Sequence, residues 1–470
     1  MAVEEFDLLV VGSGAGLNVA SRARSMDMKV ALFERSLLGG TCLNKGCIPS
    51  KILTYPAEVV RLVKKSSDIG VHASIQSTDF ELVRKRMWGL IVPDRERMEE
   101  AAGRDQGMAF IRDAAKFTAP YTITAGGRTF HAPRVLIACG VRTDIPLIPG
   151  LEAAGYHTSE TIFDIDKVPE SIIIAGGGYK AMEFGHFFSA FGSKVSIVGH
   201  NPVLLPREEP EVSDQVLEVA RSYMSILVNQ EITEVRGGEE KVVVCRDRAS
   251  AAVTELRGKM LLLATGVRSN ADWLDLPAGG VKADARGYVA VDKHLETNLP
   301  GVYALGDVIG RTMFRHTANY HAELVWFNMN NKEKGELDEH AVPHAVFTYP
   351  EVASVGMNED EVKEHRIRYF VGYSNYGDCA KGYAMAETDG FVKVLVAAEN
   401  LKILGASIVG PHAAILIQSL VYLMNAGDGS YVPMARSQVI HPALSECVAN
   451  AFGNLTDPAR HHHEDHSSGA

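Results

Sequence analysis

Twice in this chain an apolar run of strand length meets a cluster of glycines and continues as helix-like sequence. Phe6–Val11 (FDLLVV) runs into Gly12-Ser-Gly14-Ala-Gly16, then a helix-like stretch to about Ser25, then Lys29–Glu34 (KVALFE). Ser171–Ala175 (SIIIA) repeats the order with Gly176-Gly-Gly178, a helix-like stretch to about Phe191, and Lys194–Val198. Each is a strand–turn–helix–strand unit whose glycine turn lets backbone amides at a helix N-terminus approach a pyrophosphate. One such match is weak evidence, because ordinary α/β connections also use glycine turns. Two in the same setting predict two dinucleotide-binding sheets. Gly12 permits the tight turn and Gly14 the close approach, while Glu34 ends the second strand where an acid accepts a ribose hydroxyl. The third glycine of the fingerprint is replaced by Leu17, so the first helix is expected to sit slightly farther from its strand.

Other punctuation divides the remainder. Arg134–Gly140 and Met260–Gly266 read as apolar strands ending in Ala-Cys-Gly and Ala-Thr-Gly, and Gly301–Asp307 as a strand ending in Gly-Asp. Asn330–Glu339 is polar and linker-like. From Val342 to about Ala451, alternating strands mix with apolar helix-like runs, an α+β pattern without a glycine fingerprint. Thr456–Ala470 is polar, carries His461–His463 and His466, and reads as a disordered tail rather than a metal site. The net charge of −11 comes with no basic stripe, which argues against a nucleic-acid surface. No apolar stretch approaches the ~20 residues that span a bilayer, and Met1–Asp7 lacks the basic start of a signal peptide. Six cysteines in 470 residues are too few for a disulfide scaffold. A cytoplasmic enzyme is expected.

Only two of those cysteines are close in sequence, in Gly39-Gly-Thr-Cys42-Leu-Asn-Lys-Gly-Cys47-Ile-Pro-Ser-Lys51. Residues five apart on a regular helix are about 7.5 Å apart along the axis, and disulfides rarely bridge Cα atoms beyond about 7 Å. A bonded pair therefore requires a distorted backbone, which Gly46 would ease. Free buried thiols or half a metal site are the alternatives, although no second cysteine pair lies nearby to complete a zinc site.

The segment GGTCLNKGCIPSK resembles, almost letter for letter, the redox segment of the flavin-dependent pyridine-nucleotide disulfide oxidoreductases. The resemblance extends to about Leu455 through Ala264-Thr-Gly266, Gly306-Asp307, Phe347–Gly356 (FTYPEVASVG) and His441–Glu446 (HPALSE). It implies an α/β fold with two Rossmann-like dinucleotide-binding domains plus a C-terminal α+β dimerisation domain. The implied spans are 1–147 and 270–338 for FAD, 148–269 for NAD(P), 339–455 for the dimer interface and 456–470 for the tail. Cys42 would be the interchange thiol, and Cys47 the charge-transfer thiolate against the flavin. Gly12, Gly14, Gly16, Glu34, Gly40, Thr41, Lys51, Gly140 and Asp307 would serve FAD. Gly176, Gly178, Tyr179, Lys180, Glu183, His200, Arg207 and Gly266 would serve NAD(P), with Tyr179 covering the nicotinamide and Glu183 paired to Lys51. His441, oriented by Glu446, would be the general acid/base and would complete the partner's active site in a homodimer. No metal is implied. Independently of the family, thiol–disulfide exchange needs a thiolate attacker and a protonated leaving group, which an imidazole held by a carboxylate supplies.

Three departures bear on specificity. Cys139 stands where relatives usually have Thr, a change of little consequence for packing. The strand KVSIVG ends in Gly199-His200-Asn201 with Arg207 beyond, so no carboxylate accepts the adenosine ribose or repels a 2′-phosphate, which favours NADP(H) over NAD. Lys180 replaces an apolar residue and, three positions before Glu183, is expected to compete with Lys51 for it. No cysteine follows Cys447, which disfavours mercuric-reductase and high-molecular-weight thioredoxin-reductase types. HPALSE, CIPSK and Phe347–Gly356 look most like dihydrolipoamide dehydrogenases. Leu17, Gly199-His200 and Tyr376–Met385 look closer to mycothione reductases. The resemblance on balance implies oxidation of a dihydrolipoyl group by NAD(P)⁺, the alternative being NADPH-dependent reduction of a low-molecular-weight disulfide. A remote third is an FAD-binding electron-transfer subunit with idle thiols. The substrate would be a small dithiol or disulfide, or a lipoyl-bearing partner chain, since no lipoyl module is seen within this one.

Overall fold

Leu8–Val11 is buried along its whole length and forms the middle strand of a five-stranded parallel sheet. The order across that sheet is Val302–Ala304, Val135–Ile137, Leu8–Val11, Val30–Phe33 and Met108–Ile111. A parallel strand covered on both faces has no polar side to alternate with, which is why these segments read as unbroken apolar runs. This computed structural model describes residues 2–458, so the histidines of the polar tail lie outside the described residues.

A second five-stranded parallel sheet has the order His157–Thr158, Met260–Leu263, Ser171–Ala175, Lys194–Val198 and Ser225–Leu227. In both sheets the strand before the glycine turn is central, the strand after the helix flanks it on one side, and the Ala-x-Gly strand flanks it on the other. The helices between them are Gly16–Ser25 and Tyr179–Ala190. A third sheet is antiparallel, in the order Pro343–Val346, Val352–Gly356, Ile403–Val409, Phe391–Ala397 and Tyr369–Asn375. The helices Ala413–Met424 and Ser445–Gly453 pack on it.

Two long helices join the sheets. Cys47–Lys65 and Phe80–Arg104 bring Leu53, Ala57, Val60, Met87 and Ile91 onto the second sheet's core, in the same apolar cluster as Val346, Val352 and Val409 of the third sheet. Prolines 56 and 93 lie inside these helices and hide them from a pattern search. Among the described residues no helix is long and apolar enough to cross a membrane.

A buried charge cluster also fastens the second sheet to the third. Lys393, 1% exposed on the strand Phe391–Ala397, reaches Glu209 at 3.1 Å, Glu211 at 3.0 Å and Glu359 at 2.7 Å. Tyr369 and Tyr373 donate hydroxyls to Glu359 and Glu211. Burial alone would raise the Glu359 carboxyl, but the bonds from Lys393 and Tyr369 bring it down to about 2. Lys393→Met leaves three carboxylates facing an apolar side chain. The expected loss is about 3–5 kcal/mol, read as a lower thermal unfolding midpoint. An unchanged midpoint contradicts the assignment of this cluster as an interdomain fastening.

Candidate active site

The first glycine turn is set by backbone contact. Gly12 has φ +101°, and a Cβ there would stand 2.3 Å from the Ala138 carbonyl oxygen of the neighbouring strand. Glu34, at the end of the next strand, accepts from the Ser13 amide (3.0 Å), the Ser13 hydroxyl (2.7 Å) and the Ser36 amide (2.8 Å). The expectation that Leu17 holds the helix away from its strand is corrected here. The close approach falls one residue earlier, at Gly16, where a Cβ would meet Val10 at 3.0 Å and Ala138 at 3.1 Å. The second turn repeats the device, with Gly176 at φ +135° and its would-be Cβ 2.3 Å from the Ala264 carbonyl oxygen.

Gly40 opens the helix Gly40–Lys45 and lies directly on the first turn, its would-be Cβ 2.7 Å from the Gly14 Cα. These bare glycine surfaces, with open space around Gly140 and Asp307 in the turn Gly306–Ile309 after its strand, form a cradle that side chains would fill. It fits a dinucleotide. Thr41 is exposed beside it.

Gly46 breaks the helix between the two cysteines, and Cys47–Lys65 begins immediately after it. A Cβ at Gly46 would lie 2.9 Å from the Thr41 carbonyl oxygen and 3.3 Å from the Cys42 Cα, so only glycine lets the chain fold back this tightly. The break brings the thiols into hydrogen-bond contact. That bond, with Arg315 and Lys51 nearby and against the effect of burial, lowers Cys42 to about 7, while the same bond and burial push Cys47 up. The two values belong to the pair, which shares a proton.

Lys51, one helical turn past Cys47, holds both carboxylate oxygens of Glu183 at 2.8 Å. Glu183 sits on the helix Tyr179–Ala190 and also accepts from the Phe347 amide at 3.2 Å, and the Lys51 ammonium lies 4.3 Å over the Phe347 ring. Lys180 does not take Glu183 from Lys51. Its Nζ lies 3.5 Å from the Ser159 hydroxyl, burial lowers its pKa, and the Asp307 charge partly offsets that. Tyr179 is 43% exposed at the start of the same helix, close enough to Arg207 to feel its charge.

At the end of Lys194–Val198, Gly199 packs against Gly177. The exposed Arg248 donates to the His200 carbonyl at 3.2 Å. Arg248 belongs to a distant hairpin, and no local pattern announces it. Gly178 and Gly266 each have open space where a Cβ would stand.

His441 and Glu446 form a pair of their own. The His441 Nδ1–H donates to Glu446 at 2.8 Å, the Ala443 amide donates to the other oxygen at 3.2 Å, and the His441 hydrogen bond lowers the Glu446 pKa. Among the described residues Nε2 has no hydrogen-bond partner, on an imidazole that is 72% exposed. The thiols lie at the junction of the helices Gly40–Lys45 and Cys47–Lys65, and the His441–Glu446 pair at the start of the helix Ser445–Gly453.

Gly46→Ala places a methyl against the Thr41 carbonyl and is expected to disfavour the closed Cys42–Cys47 pair. In a glutathione redox buffer the equilibrium between disulfide and dithiol shifts toward dithiol by roughly tenfold, measured by mass spectrometry of trapped thiols. An unshifted equilibrium contradicts the role given to Gly46.

Comparison with known proteins agrees with this geometry. Residues 6–322 match the model described as pyridine nucleotide-disulphide oxidoreductase. Residues 342–452 match the dimerisation domain of the same enzymes. The chain is 34% identical to mycothione reductase of Mycobacterium tuberculosis (strain ATCC 25618 / H37Rv) over 467 residues, covering 96% of this chain and 100% of that protein. It is 31% identical to dihydrolipoyl dehydrogenase of Chlorobaculum tepidum over 467 residues, covering 95% and 96%. Among solved structures, the HOCl-induced flavoprotein disulfide reductase RclA from Escherichia coli, as its Cu(II) complex, superposes with a TM-score of 0.85 at 26% identity, over 96% of this chain and 99% of that one. The two parallel sheets with their glycine turns, the paired cysteines and the antiparallel third sheet thus have one common explanation: the chain belongs to the FAD- and NAD(P)-dependent pyridine nucleotide-disulphide oxidoreductases.

Proposed function

We propose that this flavoprotein disulfide oxidoreductase works as an NADPH-dependent reductase of a low-molecular-weight disulfide. The observation that carries the disulfide chemistry is the thiol pair folded together at Gly46, with Cys42 already lowered to about 7. The reductase direction is supported by the end of the strand Lys194–Val198. There Gly199-His200 replaces a carboxylate and Arg248 adds a cation beside the His200 carbonyl, an environment suited to a 2′-phosphate. Oxidation of a dihydrolipoyl group is the second reading, supported by the CIPSK and HPALSE segments and by the 31% identity to a dihydrolipoyl dehydrogenase.

FAD would be held by the turn of Gly12, Gly14 and Gly16, by Glu34, by Gly40 and Thr41, and by Gly140 and Asp307. When bound, it relays electrons between the nicotinamide and the thiol pair. Lys51, fixed by Glu183, keeps the first turn of the cysteine helix at the cofactor. Gly176 and Gly178 receive the nicotinamide dinucleotide, Tyr179 covers the nicotinamide pocket, and His200 and Arg207 lie along its path. On the other side of the centre, the Cys42 thiolate attacks the substrate disulfide RSSR. A Cys42–SR bond forms, the RS–SR bond breaks, and the first RS⁻ leaves as RSH with a proton from His441 Nε2 of the partner subunit. Cys47 then attacks the Cys42 sulfur, expelling the second RSH and restoring the Cys42–Cys47 disulfide. Glu446 keeps the Nδ1–H tautomer, so Nε2 faces the exchanging sulfurs.

Steady-state turnover of the purified FAD-loaded protein tests this. NADPH oxidation is expected with a cysteine-derived low-molecular-weight disulfide, NADH is expected to be a poor substitute, and Cys47→Ser is expected to lower turnover by at least about 100-fold. Faster turnover of dihydrolipoamide with NAD⁺ favours the second reading, and unchanged turnover in Cys47→Ser overturns both.

A further inference from the structure

Ala318 and His321 lie one turn apart on the helix Arg315–Asn330 and so share a face of it. That face packs on the turn Gly306–Ile309, which follows the buried strand Val302–Ala304 of the first sheet. Gly306 has φ +72°, and a Cβ there would stand 3.2 Å from the Ala318 Cβ. The Gly306 amide donates to His321 Nδ1 at 3.3 Å, and the imidazole is fully buried. Asp307 comes next in the chain. Its carboxylate is half-buried and makes no hydrogen bond or ion pair among the described residues. It is an acceptor in the cradle without a donor.

With Nδ1 accepting, the one proton of the neutral ring sits on Nε2. Nε2 has no hydrogen-bond partner among the described residues and lies 4.0 Å from Glu339 Oε1. The Glu339 carboxylate is itself taken up by the Thr312 hydroxyl at 2.7 Å and by Arg311 at 3.1 Å. Glu339 and Arg311, with Tyr320 beside the ring on the same helix, are the titratable groups around His321. Burial outweighs the Glu339 charge and lowers the His321 pKa to about 4. At neutral pH the ring is therefore uncharged, and its Nδ1 lone pair is available to Gly306. A proton taken from water onto Nδ1 makes both ring nitrogens donors, so the Gly306 N–H would then face another N–H. A buried amide deprived of its acceptor is costly, and the turn must shift to find another.

We propose that His321 is a positioning residue of the FAD site: as a neutral imidazole it accepts the Gly306 amide and holds the turn that presents Asp307 to the cofactor, and on protonation it lets that turn go. The inference rests on the assignment of Asp307 to FAD and adds to it a buried residue that does not touch the cofactor. Its consequence is a grip on FAD that loosens in acid.

The test is the rate at which FAD leaves the holoenzyme on dilution, followed by flavin fluorescence between pH 7 and pH 4.5. The unmodified protein is expected to lose FAD roughly tenfold faster at pH 4.5 than at pH 6. Asparagine can place its Oδ1 where Nδ1 stands but does not titrate. His321→Asn is therefore expected to match the unmodified protein at pH 7 and to rise less than about threefold on acidification, a residue that belongs to the carboxylates Glu34 and Asp307. His321→Leu offers no acceptor and is expected to lose FAD roughly tenfold faster already at pH 7. An equal acid response in the unmodified protein and His321→Asn overturns the proposal, as does an unmodified rate in His321→Leu. Should the leucine variant fail to fold, the comparison with asparagine decides alone. Asp307→Ala is measured alongside and is expected to release FAD faster at every pH. If it holds FAD as firmly as the unmodified protein, the assignment of Asp307 to the cofactor falls, and this proposal falls with it.

Discussion

The contact between Lys51 and Glu183 ties together the parts that the chemistry needs in one place. Lys51 rises from the cysteine helix, Glu183 from the helix that opens at the second glycine turn, and the Phe347 amide that completes the carboxylate's bonding comes from the start of the third unit. Glu183 is nearly buried, and a carboxylate removed from water is tolerable only with such partners. Once they are met, the thiol pair, the second glycine turn and the strand Pro343–Val346 hold fixed positions relative to one another. The Lys393 cluster fastens the second sheet to the third in a similar way, farther from the chemistry.

Two copies of one backbone device then do different work. At Gly12 and again at Gly176 a glycine passes within van der Waals range of the carbonyl of an Ala-x-Gly strand. Each turn leaves bare backbone at a helix N-terminus, the setting that suits a dinucleotide pyrophosphate, and the residues beyond the two turns differ. After the first comes the cysteine segment, with its break at Gly46. After the second come Tyr179, Lys180 and Glu183 on one helix. The His441–Glu446 pair lies in the part of the chain, residues 342–452, that matches the family's dimerisation domain.

Much of this is legible in the sequence, because the informative signals are local. Strand, turn, helix and strand succeed one another within each unit, and the spacing of Cys42, Gly46 and Cys47 requires a distorted backbone if the two sulfurs are to bond. His441 and Glu446 are five residues apart and do pair. The features that escape a sequence reading depend on contacts between distant segments. The helix–strand approach falls at Gly16 rather than at position 17 because Ala138, from another strand, sets the spacing. Helical proximity alone would pair Lys180 with Glu183; the pairing with Lys51, which joins two different helices, is legible only through the family resemblance. Arg315, Arg248 and the Phe347 amide carry no local pattern, and the helices containing Pro56 and Pro93 are held by tertiary packing against the propensity of their prolines.

The central claim is that reducing equivalents are stored in the Cys42–Cys47 bond as well as in the flavin. Anaerobic reductive titration of the FAD-loaded protein reads this directly. The unmodified protein should consume twice the reductant per FAD that Cys42→Ser consumes, since only the former has a disulfide to fill in addition to the cofactor. Equal consumption by the two proteins would contradict the account, because the paired cysteines would then take no part in the electron path.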